Sequence, residues 1–195
     1  MGHSQADKAR TRERILGEAA AQLRDRGLES IGVARLMRSV ALTHGGFYNH
    51  FGSRSELLAH ALERALADGW RASMAGAAPD APRGFGARLR TFLSRAHRDS
   101  RAGGCAIAAL ASDVARADER SREVMSAWID TFVDEVAGSL GSGDEGDAML
   151  AVSAMIGALL LSRVQVDRPK SDRMLKAVRD RLTRLEHAAS RGAPA

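Results

Sequence analysis

Cysteine is nearly missing from this chain: of 195 residues only Cys105 carries a thiol. That excludes a disulfide framework and a zinc site built from several cysteines. Long apolar runs are missing too. The longest, Ala148 to Leu161, contains Ser153 and Gly157 and falls short of the about 20 residues that span a bilayer, so no membrane partner is expected. The opening MGHSQADKARTRERI has charges with no apolar run behind them, so no secretory signal is expected and the cytoplasm is the default location. No stretch alternates apolar and β-branched residues with polar ones long enough to make a sheet. Lysine is scarce, at Lys8, Lys170 and Lys176 only, the other basic residues being arginine.

What is present is 45% hydrophobic residues, enough for a real core in one large domain or two small ones. Net charge is +5, and residues 1–55 hold nine basic residues against five acids. A localised excess of this kind is the electrostatic footprint of phosphate binding, although a solvated helix face has the same composition.

Helical spacing recurs throughout. Ile15, Ala19 and Leu23 fall four apart in a helix over 9–26 that Gly27 stops. Short helices follow over 33–39 and 44–50. Ser53 to Glu56 has the pattern of a capping box and starts a long helix to about Met74. Pro79, Pro82 and two glycines break the chain between Ala77 and Gly86. Further helices are expected over 85–98, over 105–116 from Cys105, over 119–139, over 147–165, and over 172–188 with Ser171 as N-cap. Between 138 and 147 an acidic loop is expected. The fold class is all-α, with about nine helices.

The informative segment is Gly32 to Phe51, GVARLMRSVALTHGGFYNHF. It reads as two short helices joined by a tight turn near Val40 to Leu42. Val33, Leu36, Met37, Val40, Leu42 and Phe47 make the seam, and Thr43 caps the second helix. Thr43, His44, Gly45, Tyr48, Asn49 and His50 are left on or near the outer face, as in a helix-turn-helix that presents one helix to the major groove. Two glycines in its first turn cost roughly 1 kcal/mol each against alanine, which fits a backbone that must approach another surface closely.

TRERILGEAAAQLRDRG followed by VARLMRSVALTHGGFYNHFGSRSELL resembles the N-terminal domain of TetR/AcrR-type transcriptional regulators, over about residues 8–68. The Tyr48-Asn49-His50-Phe51 signature and Ser53 to Leu58 carry the likeness most specifically. The resemblance implies that Thr43, His44, Gly45, Tyr48 and His50 face DNA, that Arg54 touches phosphate, and that Arg10 to Arg12 approach the backbone. It implies that residues 69–190 form a helical ligand-binding and dimerisation domain. Three positions depart from the family pattern. Ala41 replaces the usual turn glycine, Gly32 a capping Ser or Thr, and His44 a frequent lysine, so affinity for DNA is expected to rise on acidification.

Other motifs are weaker. Gly141 to Gly146 fits G-x-G-x-x-G by letter, but it follows a helix and its acids repel a pyrophosphate, so it reads as a loop. Cys105 begins a helix, where a thiolate is favoured. One reading is a redox or electrophile switch, another a nucleophile served by His97, and the bland one a small residue at a helix start. Phe92, Met125, Trp128, Phe132 and Met155, with Cys105, are candidates for a ligand cavity, although such stripes usually make core. His60, His97 and His187 form no ligand pair, and no metal, cofactor or catalytic set is expected.

The expected protein is therefore not an enzyme. It is a homodimeric regulator, a repressor that a small-molecule inducer releases from near-palindromic operator DNA. Dimerisation is expected through helices 147–165 and 172–188. The alternatives are a sensor of the same fold acting through Cys105, and a helical carrier or enzyme that does not bind DNA.

Overall fold

The computed structural model describes residues 5–74, 84–100, 103–141 and 144–192. Among these there are nine α-helices: α1 Gln5–Arg26, α2 Val33–Ser39, α3 Arg54–Met74, α4 Phe85–Phe92, α5 Arg95–Asp99, α6 Ala106–Val114, α7 Glu119–Leu140, α8 Glu145–Val164 and α9 Arg168–Gly192. Two 3-10 turns join them, Leu28–Ser30 and His44–Asn49. The expected break over 77–86 lies mostly outside the described residues.

The N-terminal unit forms because α1 and α3 each offer one apolar stripe to the other. Ile15, Ala19 and Leu23 meet Leu58, Leu62 and Leu66 in a continuous buried cluster. Ion pairs frame that seam, with Arg24 3.6 Å from Asp68, and Arg64 reaching both Glu13 at 2.7 Å and Asp68 at 3.0 Å. Helix α3 runs to Met74, as expected from the sequence, and its later turns pack on α6 and α7. At Gly69 a Cβ would lie 2.7 Å from the Gly104 carbonyl oxygen, so only glycine lets α3 cross the start of α6 this closely.

The capping box at Ser53 is present in a shifted form. The Glu56 N–H donates to Ser53 Oγ at 3.0 Å, while the Glu56 carboxylate accepts from the Gly52 N–H at 2.8 Å. The stretch 85–98 is two helices rather than one. Ser94 takes the cap position instead of continuing α4, and its hydroxyl accepts the His97 N–H at 3.0 Å. Helix α7 extends through Gly138 to Leu140, so the loop after it is shorter than expected, and Gly141 closes it with φ 73°. Helix α9 starts at Arg168, not after Ser171. Asp167 caps it by accepting the Lys170 N–H at 3.1 Å, and Pro169 sits in the first turn where its missing N–H costs nothing. Ser171 is instead buried, donating to the Ser162 carbonyl at 2.7 Å and so pinning α9 to α8.

Candidate nucleic-acid interface

The helix-turn-helix is built from the expected seam. Leu36, Met37, Val40 and Phe47 are buried, with Val33 and Leu42 half-buried at its edge. The turn holds Ala41 at φ 56°, a left-handed backbone that an L side chain rarely adopts. Two bonds secure it: the Leu42 N–H donates to the Met37 carbonyl at 2.8 Å, and Arg14 donates to the Val40 carbonyl at 3.1 Å.

After the turn, His44–Asn49 winds as a 3-10 helix, where an α-helix was expected. Gly45 and Gly46 supply no side-chain contacts and little intrinsic helicity, so the short segment takes the tighter turn. Thr43 caps it as expected, its Oγ1 accepting the Gly46 N–H at 3.3 Å. Phe47 anchors the segment from below, stacked on Phe51 at 5.6 Å. Tyr48 stands outward, 66% exposed, braced edge-on by Phe47 and His44. Thr43, His44, Gly45 and Asn49 share that open face.

The first turns of α1 stand opposite. Asp7, Lys8 and Thr11 form one wall, and Thr43, Asn49 and His50 part of the other, of a cleft of about 370 Å³. Nδ1 of His50 is buried with no hydrogen-bond partner. Burial, then the Lys8 ammonium and the Arg12 guanidinium, hold this imidazole below its ordinary value. An unsatisfied ring nitrogen beside two cations is an arrangement that an anion completes.

The arginines are divided between structure and surface. Arg12 lies over the Phe51 ring at 4.9 Å, and Arg10 is exposed in an ion pair with Asp7. Arg54 is exposed at the start of α3 and donates to the Ile31 carbonyl at 3.1 Å and the Leu28 carbonyl at 3.5 Å. It thus ties the start of α3 to the strap before α2, a task the sequence reading did not assign to it.

The profile for bacterial regulatory proteins of the tetR family matches residues 15–61, the stretch that carries this geometry. The match covers the N-terminal stretch alone, so the likeness to TetR-family transcriptional regulators rests there. Such regulators bind DNA and are not enzymes. Comparison with curated proteins returns no match. Among solved structures, a TetR-family transcriptional regulator from Cytophaga hutchinsonii is similar at 18% identity and TM-score 0.74, over 96% of this chain and 98% of that one. The reduced form of E. coli NemR is similar at 19% identity and TM-score 0.70, over 89% and 95%. AibR in complex with isovaleryl coenzyme A and operator DNA is similar at 17% identity and TM-score 0.61, over 88% and 97%.

Toward the C-terminus the ligand-cavity candidates come together as packed core. Phe92 and Phe132 lie 5.5 Å apart, Trp70 joins them edge-on at 5.3 Å from Phe132, and Trp128 sits against Trp70 at 6.3 Å. Met125, Met155 and Cys105 are buried around this aromatic group. Trp70 was missed from the sequence because it ends the stripe of α3, a helix read as belonging only to the N-terminal unit.

Cys105 does not sit as a reactive thiolate. Burial pushes its thiol up, against the weaker pull of backbone N–H groups. His97 does not serve it as a base either. The imidazole is buried, with Nδ1 2.7 Å from the Phe92 carbonyl and Nε2 accepting the Cys105 N–H at 2.9 Å. That fixes the neutral tautomer and makes His97 a brace between α4 and the start of α6. In the Gly141–Gly146 motif, of which residues 142 and 143 lie outside the described residues, Asp144 caps α8 by accepting the Gly146 N–H at 2.8 Å.

Two hydrogen bonds join the halves at the turn between α6 and α7. Asp113 accepts the Leu28 N–H at 3.0 Å, and a Cβ at Gly27 would run into its carboxylate. Asp118 caps α7 by accepting the Ser121 N–H at 2.8 Å and accepts the Ser55 hydroxyl at 2.6 Å. Helix α8 meanwhile leaves Met149, Leu150, Leu160 and Leu161 exposed. Helix α8 is long and apolar enough to cross a membrane by length and composition, with mean hydropathy 1.6 over its most apolar stretch. Its other face is packed against α7 and α9, and Arg163 near its end donates to the Arg98 carbonyl at 3.1 Å.

Proposed function

We propose that this chain is a TetR-family transcriptional regulator, a homodimeric repressor released from a near-palindromic operator in the cytoplasm by a small-molecule inducer. The observation that carries the reading is the exposed 3-10 segment with Tyr48 at its tip, set across a cleft from Lys8 on α1. Tyr48, Thr43, His44 and Asn49 reach the major groove, the Gly45 backbone approaches it, and Lys8, Arg10, Arg12 and His50 meet phosphate. Residues 8–68 form the DNA-binding unit, and the rest forms the inducer-binding and dimerising unit.

The exposed apolar side chains of α8, with Ala154, Val178 and Leu185 in the neighbouring groove, form the dimer face, since a contiguous apolar patch of this kind marks an interface. Two-fold symmetry then spaces the recognition segments about 34–36 Å apart, one turn of DNA. The inducer binds where the packed aromatic group around Phe92, Trp128 and Phe132 opens to admit it. It acts through its difference in affinity between the two dimer spacings, and the carboxylates of Asp113 and Asp118 pass the change to the N-terminal unit. Of the solved structures, the AibR complex, which holds both an acyl coenzyme A and operator DNA, supports this two-site scheme.

The test is a protein carrying Thr43→Ala and Tyr48→Phe, titrated against its operator. Specific affinity falls at least tenfold while nonspecific, salt-sensitive binding persists. Unchanged specific affinity would remove the recognition assignment.

A further inference from the structure

The chain's positive charge is concentrated twice. Residues 168–184 on α9 hold seven basic residues against two acids, an excess at least as large as that of the DNA-binding quarter. A solvated helix spreads such charges outward. Here several converge instead on a depression of about 520 Å³ between the α4–α5 junction and α9, where Arg95, from a distant part of the sequence, meets Arg173, Lys176 and Arg179.

The acids within reach do not neutralise this set. Asp172 is claimed on both oxygens, by Arg98 and by Arg95, each at 2.7 Å. Asp180 pairs with Lys176 at 2.5 Å. Arg179 rests on the Leu93 carbonyl at 3.5 Å, and Arg173 has no acid partner among the described ion pairs. The four rim cations share Asp180 and Asp172, the latter also used by Arg98, which pairs with Asp99 as well at 2.9 Å; a surplus of positive charge is left over a floor made by Leu93 and Leu175.

We propose that this groove binds a phosphorylated small molecule carrying at least two negative charges. Guanidinium forks match phosphate oxygens in pairs, and three of the four rim cations are arginine. The rim is partly preorganised, because Asp172 holds Arg95 and the Leu93 carbonyl holds Arg179. At about 100° per residue, positions 172, 175, 176 and 179 lie on a different flank of α9 from 177, 181 and 185. The latter border the apolar groove against α8, so the basic groove stays open when that face is covered. It shares no residue with the cleft facing DNA.

The experiment is calorimetric titration of the full chain with sodium pyrophosphate at low ionic strength, on wild type, Arg173→Ala with Lys176→Ala, and Lys8→Ala with Arg12→Ala. Both substituted α9 side chains are exposed, and thermal midpoints verify that each variant is folded, with Arg173→Gln and Lys176→Gln as the second pair. The proposal expects a pyrophosphate site that the α9 variants weaken at least tenfold and that the α1 variant leaves in place, separate from any anion held beside His50, and succinate at least tenfold weaker than pyrophosphate at that site. Binding lost only in the α1 variant would place the anion in the DNA cleft, and equal affinity for succinate would overturn the phosphate assignment. Absence of binding to wild type would overturn the site itself.

Discussion

Ala41 sits at φ 56° in the turn of the helix-turn-helix, at a cost of about 1–2 kcal/mol for an L residue. Replacing it with glycine removes the strain while loosening the unfolded chain. Ala41→Gly is expected to stabilise the protein by about 1 kcal/mol in urea titration, with operator affinity kept. His97 works in the opposite sense. Burial lowers its pKa below 6.5 in the folded state, so its contribution to stability is complete above that value and is lost as pH falls through the lowered folded value. Urea midpoints should therefore decline on acidification below about 6.5, and His97→Gln should flatten the decline. At His50, Lys8→Ala removes one of the three causes that depress the imidazole, and NMR titration should show its pKa rising. Cys105, buried with its thiol pushed up, should alkylate at neutral pH at least tenfold more slowly in the folded chain than in urea.

Between elements, the α6–α7 turn is the joint. Asp118→Ala removes an N-cap and an inter-unit hydrogen bond at once, and about 1 kcal/mol of stability with them. The inducer's effect on operator affinity should shrink in this variant, measured as the ratio of affinities with and without ligand. Most of the elements were legible because their signals are local: apolar spacing in α1 and α7, the Ser53 box, glycine after Arg26. What was not legible depends on neighbours. The split of 85–98 needs Ser94 to prefer capping to continuing, and the early start of α9 needs Asp167 to outcompete Ser171, which is drawn inward by Ser162. The recognition segment's outward residues could be read from the seam pattern alone. The bonds of Arg54 to the Ile31 and Leu28 carbonyls could not, since those carbonyls are brought near only by the fold.

For the whole molecule, the same argument explains why the interface with DNA was easier to read than the ligand site. A short exposed motif shows itself in sequence, whereas a ligand site in the bundle depends on packing among several helices. The proposed dimer face lies between: exposed Leu150 and Leu161 on a helix that otherwise packs in the bundle. Leu150→Glu with Leu161→Glu should convert the dimer to monomer in sedimentation velocity and weaken operator binding by removing the second half-site contact. The central claim, a sequence-specific DNA-binding regulator, is tested most directly by fluorescence anisotropy of the intact protein on duplex DNA from immediately upstream of its own gene. Unrelated duplex serves as competitor, at two salt concentrations. The expected result is tight binding that resists competitor and weakens steeply with salt. Binding that is weak and erased by the competitor would contradict it.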